Sequence, residues 1–126
     1  MPARYTIKIV TDFSAAHYLR NYEGKCARLH GHNWKIEVEI DARQLDDVGM
    51  GIDFQDVKAE TRELLEGLDH YNLNDMPPFD KINPTAENLS AFIYQSLATK
   101  INDQRIQVSA VTVWETERAC VRYSED

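Results

Sequence analysis

The sequence predicts an α+β fold in which a four-stranded antiparallel sheet carries two helices on one face. Three observations predict it. The chain opens with two long segments of alternating apolar and polar residues, continues with two segments whose apolar residues recur at helical spacing, and ends with two further strand patterns. With 126 residues, the chain is long enough for a core without disulfides, so we expect a single domain, 1–126.

The first two strand patterns carry three of the four histidines of the chain. The first pattern ends at His17, on its apolar parity. In the second, the alternation is strict from Trp34 onward, and extending it backwards places His32 and His30 on the apolar face. If the two strands form an antiparallel hairpin with residues 18–29 as its loop, His17 comes close to both.

Three neutral imidazoles in an apolar setting are the ligand set of a catalytic zinc site, which keeps a fourth position open for water or substrate. A histidine taken singly on an apolar face is more often a hydrogen-bonded core residue. Because His17, His30 and His32 converge at one end of one hairpin, we predict a zinc site there. The thiol of Cys26 lies four residues before His30 and is either a metal neighbour or a catalytic group.

The middle of the chain predicts two helices. Asp53 has the position of an N-cap before a helix that ends near Gly67, and Thr85 caps a second helix. Between them, Asp69 and His70 are adjacent just after the first helix. Such a pair can orient an imidazole for proton transfer, but it is also common as a charge and a turn residue at a helix end.

The last two strand patterns differ from the first two in the distribution of their apolar residues. The segment from Ile106 to Trp114 is apolar on both parities, which is typical of a strand covered on both faces. Glu115 ends it, as either a rim residue in water or an anchor for a ligand with adjacent N–H donors. Residues 116–118 form a turn before a short final strand, 119–123.

Charge and hydropathy exclude several classes of protein. The formal net charge of −7 argues against a nucleic-acid-binding face. An anionic substrate would need local positive charge, for which Arg20, Lys25, Arg28 and a metal ion are candidates.

No apolar run is long enough to cross a bilayer, and no secretion signal is visible, so we expect a soluble, cytoplasmic protein. The exposed sheet edges favour a symmetric homo-oligomer.

Six short fragments stand in order along the chain. They are Phe13-Ser14-Ala15-Ala16-His17, Cys26-x-x-x-His30-Gly31-His32, Asp53-Phe54, Leu68-Asp69-His70, Asn83-Pro84-Thr85-x-Glu87-Asn88 and Trp114-Glu115-Thr116. Together they resemble the 6-pyruvoyl-tetrahydropterin synthase family. The spacing of three residues between Cys26 and His30 is most similar to the branch that forms 6-carboxy-tetrahydropterin in queuosine biosynthesis.

The resemblance implies the tunnelling fold, in which subunits pool their sheets into a barrel. It implies a hexamer built as a dimer of trimers, with active sites where subunits meet. It also implies zinc held by His17, His30 and His32. The substrate would be 7,8-dihydroneopterin triphosphate, converted to 6-carboxy-5,6,7,8-tetrahydropterin with release of acetaldehyde and triphosphate.

Further roles follow from the resemblance. Cys26 would be the catalytic base, and Asp69 with His70 a proton-relay pair. Glu115 would grip the amino-pyrimidine edge of the pterin, with help from the backbone near Thr85. Two alternatives stay open. The enzyme could form the pyruvoyl product without breaking a carbon–carbon bond, or the protein could be a non-enzymatic module with Cys26 as fourth ligand of a closed zinc site.

Overall fold

The protein, described here by a computed structural model for residues 3–126, contains a four-stranded antiparallel sheet in the order β1-β2-β3-β4. Two helices connect β2 to β3, as the sequence predicts. The elements are β1 (Tyr5–His17), β2 (His30–Ala42), α1 (Phe54–Glu66), α2 (Ala86–Ile101), β3 (Ile106–Thr116) and β4 (Ala119–Tyr123). Short 3-10 turns occupy Lys25–Ala27 and Leu73–Asp75.

The β1–β2 hairpin pairs without interruption from Tyr5 opposite Ala42 to His17 opposite His30. Each strand has 13 residues. Because side chains alternate between the two faces with a period of two, an unbroken register keeps the buried positions of both strands on the same face along the hairpin. The predicted loop between the strands is confirmed, and the two histidines at its ends are direct partners.

Both helices begin at the predicted caps. The Asp53 carboxylate accepts a hydrogen bond from the backbone N–H of Gln55 at 2.8 Å, and the Thr85 hydroxyl accepts one from that of Asn88 at 3.1 Å. α1 packs against β1 and α2, while α2 packs across β3 and β4. Their buried residues join the inner face of the sheet in one core, so both helices cover the same face. Neither helix has the length and apolar character needed to span a membrane, and the same holds throughout residues 3–126.

The pattern of β3 has two origins. Residues 110–113 are all buried, as expected for a strand covered on both faces, and a β-bulge contributes as well. The β2–β3 register shifts between Glu39 and Ile40, where Ser109 is an extra residue without a β2 partner. This β-bulge changes which parity faces inward, so apolar residues of both parities reach the same core. The core residues of β3 are Ile106 and Val108 before the bulge and Val111 and Val113 after it.

The edge of β1 is partly covered by the segment that follows α1. The backbone N–H of Ala16 donates to the carbonyl of Tyr71 at 3.1 Å, and Ala16 also forms a parallel bridge with Asn72. The backbone N–H of His70 donates to the carbonyl of Ser14. These bonds fix the residues after α1 against the end of β1 that carries His17.

Candidate metal centre and active site

Four side chains gather at the loop end of the hairpin. One donor atom from each of His17, His30, His32 and Glu115 lies within 4.8 Å of the others. The centroids of the His17 and His30 rings are 4.5 Å apart, and those of His30 and His32 are 4.9 Å apart. β1 supplies one imidazole, β2 supplies two, and β3 supplies the carboxylate, so three neighbouring strands build the cluster.

Backbone carbonyls orient two of the imidazoles. The Nδ1 atom of His17 lies 2.7 Å from the carbonyl oxygen of Pro84, and Nδ1 of His30 lies 2.7 Å from that of Arg28. A carbonyl oxygen only accepts hydrogen bonds, so each Nδ1 carries the hydrogen and donates it. In the neutral rings, Nε2 is then left with a free electron pair, which is the arrangement that metal-binding histidines use.

Burial favours the neutral form of two of the three histidines. The side chain of His17 is 1% exposed. Desolvation lowers the pKa of His17 below its ordinary value of 6.5, against a smaller opposing effect of the hydrogen bond to Pro84. Burial also lowers the pKa of His32. Since only the neutral imidazole can bind a metal ion, these directions favour binding at neutral pH.

The donor set fits a divalent metal ion. Nε2 of His17 and Nε2 of His32 are both buried without a hydrogen-bond partner. Each nevertheless lies 3.3 Å from Oε1 of Glu115. A lone pair on nitrogen and a carboxylate oxygen repel each other, whereas a cation between them would be bound by both. Three imidazoles and one carboxylate oxygen are ligands that zinc accepts, so the cluster can hold a metal ion.

Cys26 lies outside this cluster. It occupies the 3-10 turn Lys25–Ala27, is half-buried, and its carbonyl accepts a hydrogen bond from the N–H of Leu19 at 2.8 Å. Both Cys26 and the exposed Cys120 are free thiols. The fourth donor beside the imidazoles is the carboxylate of Glu115, so the geometry does not favour a closed site made by three histidines and Cys26.

Asp69 and His70 form a hydrogen-bonded pair beside the end of β1. Oδ2 of Asp69 lies 3.0 Å from Nδ1 of His70, and Oδ1 accepts the backbone N–H of Ser14 at 2.8 Å. The hydrogen bond from Ser14 and that from His70 lower the pKa of Asp69 below 3.8. The His70 side chain is 79% exposed, so its second nitrogen is open to a molecule outside the chain.

Two cavities border the cluster. One of about 230 Å³ is lined by His17, Thr85 and Glu115, and one of about 420 Å³ is lined by His32 and His70. The structure therefore brings the predicted substrate-binding residues beside one metal-ligand candidate. The predicted relay histidine lies beside another.

The hydroxyl of Thr85 and the guanidinium of Arg20 are already engaged. The Thr85 hydroxyl caps α2, so a ligand at Thr85 would meet backbone atoms.

The guanidinium of Arg20 donates to three carbonyls in the loop between α1 and α2, at distances of 2.9–3.3 Å. Arg20 is also a candidate for holding an anionic substrate, and two of its guanidinium nitrogens already fix the loop. The three acceptors are the carbonyl oxygens of Asn74, Phe79 and Ile82.

Two supporting groups were not identified from the sequence. One is the Pro84 carbonyl. The other is Trp34, which is fully buried and donates its indole N–H to the Ala15 carbonyl at 3.2 Å. Its ring packs edge-on against His17 and His32, with centroids 4.9 and 5.1 Å away. The sequence signal that could have identified Trp34 is its position two residues after His32, on the same face of the strand.

The fold and the cluster together define an α+β protein with a candidate metal-binding site beside two cavities. The model of the 6-pyruvoyl tetrahydropterin synthase family matches residues 6–126, and the chain belongs to that family. It is therefore a pterin-processing enzyme. The resemblance drawn from the sequence fragments is confirmed.

Individual relatives agree with the family assignment. A 6-carboxy-5,6,7,8-tetrahydropterin synthase of a Synechocystis species is 36% identical over 118 residues, covering 89% of this chain and 87% of its own. A 6-pyruvoyl tetrahydrobiopterin synthase of Dictyostelium discoideum is 38% identical over 102 residues, covering 79% and 73%. The structure of the Caenorhabditis elegans 6-pyruvoyl tetrahydropterin synthase superimposes with a TM-score of 0.87 at 28% identity, covering 98% of this chain and 97% of that one.

Proposed function

We propose that this protein is a zinc-dependent lyase that converts 7,8-dihydroneopterin triphosphate to 6-carboxy-5,6,7,8-tetrahydropterin. Acetaldehyde and triphosphate are released, and the product enters queuosine biosynthesis in the cytoplasm. The observation that carries the proposal is the cavity of about 230 Å³ that joins the metal-ligand candidate His17 to Thr85 and Glu115. A pterin held by Glu115 in this cavity would lie beside the imidazoles.

The atoms and electrons of this reaction balance with the substrate and one water molecule as the only reactants. The ring gains two hydrogens on passing from the dihydro to the tetrahydro state, and the first side-chain carbon is oxidised to a carboxyl group. The bond between the first and second side-chain carbons breaks, and the two outer carbons leave as acetaldehyde. The carbon–oxygen bond to triphosphate breaks as well. No external oxidant or reductant is needed.

His17, His30 and His32 would hold zinc, which supplies positive charge that acidifies the side-chain hydroxyls of the substrate. The carbonyls of Pro84 and Arg28 keep two of these rings in the tautomer that offers Nε2. Cys26 would abstract a proton from the side chain. Its place outside the donor cluster leaves its sulfur available for that role.

His70 would return or accept protons as hydrogen moves from the side chain to the ring. Asp69 holds its Nδ1 at 3.0 Å, so the exposed Nε2 is the atom that exchanges protons with substrate. A side chain that is 79% exposed at the edge of the sheet is accessible to a neighbouring molecule. We therefore propose that His70 serves an active site shared with another subunit.

The proposed assembly is a homohexamer, a dimer of trimers whose sheets combine into a barrel. Exposed apolar side chains that an interface would cover support it, both on β1 and in the segment between β2 and α1. They are Tyr5 and Val10 in the first region and Leu45, Val48 and Met50 in the second. Sedimentation of the purified protein measures the subunit number.

The second candidate is 6-pyruvoyl-tetrahydropterin formation, in which triphosphate is eliminated without carbon–carbon cleavage. The relative in Dictyostelium, at 38% identity, favours it. The short spacing between Cys26 and His30 favours the carboxy product.

A product assay separates the two reactions. Zinc-loaded protein is incubated with dihydroneopterin triphosphate, and acetaldehyde is measured by coupled reduction while the pterins are separated by chromatography. We expect one acetaldehyde per triphosphate. Triphosphate release without acetaldehyde would assign the pyruvoyl reaction instead, and release of neither would reject both enzymatic proposals. The His17→Ala protein serves as the metal-free control.

A further inference from the structure

Glu115 occupies an irregular position of the sheet. In the β3–β4 pairing, Trp114 lies opposite Cys120 and Thr116 lies opposite Ala119, so Glu115 has no β4 partner. An extra residue of this kind bends a strand and changes the direction of its side chain. At this irregular position the carboxylate points towards the imidazoles, with Oε1 3.3 Å from two of their Nε2 atoms.

The distances in the cluster match those between ligands of a single ion. Oε1 of Glu115 is 3.3 Å from Nε2 of His17 and 3.3 Å from Nε2 of His32. A tetrahedral zinc ion with bonds of about 2.0–2.1 Å separates its ligand atoms by roughly 3.3–3.4 Å. Neither contact is a hydrogen bond, since both nitrogens remain without a partner. The same oxygen is therefore placed as a ligand would be with respect to two imidazoles.

The carboxylate is held less firmly than two of the imidazoles around it. His17 and His30 are fixed by hydrogen bonds to backbone carbonyls. Within residues 3–126, no hydrogen bond holds the carboxylate of Glu115, and its side chain is 35% exposed. It also lines the cavity of about 230 Å³, which gives it space to turn. The carboxylate is therefore freer to leave the cluster than the rings of His17 and His30.

We infer that Glu115 is a displaceable fourth metal ligand. In the protein without substrate, its Oε1 completes the coordination by His17, His30 and His32. The carboxylate leaves the ion when a pterin binds, and its hydrogen bonds to the ring replace the metal bond. The second step rests on the proposed function. One side chain then couples arrival of the pterin to opening of the coordination position that the substrate needs.

The ligand role is tested by metal affinity, without an activity measurement. Zinc binding to Glu115→Gln is measured by competition with a chelator, and the visible absorption of the cobalt(II)-substituted protein is recorded. We expect at least about tenfold weaker zinc binding, as for loss of a supporting group at such sites, and a changed cobalt spectrum. The matched control is Glu87→Gln, which removes a carboxylate lining the same cavity outside the cluster and should match the unmodified protein.

Equal zinc affinity and equal cobalt spectra for Glu115→Gln and the unmodified protein would overturn the ligand role. If the glutamine variant does not fold, Glu115→Asp replaces it. This variant keeps the charge but withdraws the oxygen by one methylene, so weakened zinc binding is again expected. Unchanged binding in Glu115→Asp, with the cobalt spectrum of the unmodified protein, would again overturn the role.

The displacement is tested with unsubstituted pterin, which has the ring but no side-chain hydroxyls to bind the ion. Its addition should shift the cobalt spectrum of the unmodified protein towards that of Glu115→Gln and weaken zinc binding, because the two affinities are reciprocally linked. Pterin that binds without either effect would overturn the displacement alone. Absence of pterin binding would reject the displacement together with the proposed function, whereas the zinc affinities still decide the ligand role.

Discussion

His17 and His30 are direct partners across the β1–β2 hairpin, and their ring centroids lie 4.5 Å apart. This single register pair places one ligand candidate from each strand at the same level of the sheet. His32 follows two residues later on the same face, so the geometry of the cluster is set by strand pairing. A slip of one residue would turn an imidazole to the opposite face.

Replacing His17 by Ala should abolish stoichiometric zinc binding. The substitution removes a ligand candidate and leaves the buried carbonyl of Pro84 without its donor, which costs roughly 1–3 kcal/mol of unfolding free energy. Elemental analysis gives the metal content, and urea denaturation gives the stability. His70→Ala is the matched control and should keep its zinc. Full zinc occupancy in His17→Ala would contradict the ligand assignment.

Replacing Cys26 by Ala should eliminate turnover while zinc content and oligomeric state stay unchanged, because the thiol is outside the donor cluster. Product formation, elemental analysis and sedimentation measure the three quantities. A closed site with Cys26 as ligand predicts the opposite result, namely loss of zinc. Cys26→Ser retains the size of the side chain and should be inactive as well, since a hydroxyl is a far weaker proton acceptor than a thiolate.

Mixing two inactive variants should restore part of the activity. If Cys26 and His70 of different subunits meet at one site, mixed oligomers of Cys26→Ala and His70→Ala contain some sites with both groups intact. The proteins are unfolded together, refolded and assayed against each variant refolded alone. Activity no higher than that of the separate variants would argue that each chain supplies both groups to its own site.

Asp69→Asn should lower stability in a manner that depends on pH. The pKa of Asp69 is below its ordinary 3.8 in the folded protein, chiefly because Ser14 donates its N–H to the carboxylate. The ionised carboxylate therefore contributes stability above about pH 4, and this contribution is lost as pH falls through the folded pKa. Urea denaturation of both proteins should show a constant difference above about pH 5 that shrinks at lower pH. If the stability difference between the two proteins grew as the pH fell, the pKa of Asp69 would not be lowered in the folded protein.

Arg20→Met should destabilise the fold without changing the affinity for the triphosphate substrate. The guanidinium donates to three loop carbonyls, and hydrogen bonds to charged groups contribute about 1.5–3 kcal/mol each. Urea denaturation measures the loss, and the KM for substrate should be unchanged under conditions where the variant is folded. The exposed Lys25→Met is the control for stability and should lie within about 0.5 kcal/mol of the unmodified protein. A raised KM in Arg20→Met with unchanged stability would place Arg20 at the substrate.

Much of the candidate site was predictable because the relevant signals are local. The period of two along β1 and β2 determines that His17, His30 and His32 share the apolar face, and a hairpin is the simplest way to join two such strands. The caps Asp53 and Thr85 are similarly local, since each bonds an N–H within three residues. Pairing of Asp69 with His70 follows from their adjacency.

Other features depended on distant parts of the chain or on an irregular register. Ser109 and Glu115 each interrupt a strand pairing, and an inserted residue has no periodic signature of its own. The carbonyl of Pro84 reaches His17 across 67 residues, and any residue type could have supplied it. Arg20 is similarly fixed by carbonyls that no sequence pattern reveals.

By itself the sequence determined the fold class, the order of the elements and the set of imidazoles, because alternation and helical spacing are properties of neighbouring residues. The tertiary structure decided which groups support those imidazoles and where Glu115 lies. Those outcomes depend on hydrogen bonds and register shifts between segments far apart in the chain. These hydrogen bonds and register shifts form only when the sheet, the helices and the connecting loop pack together.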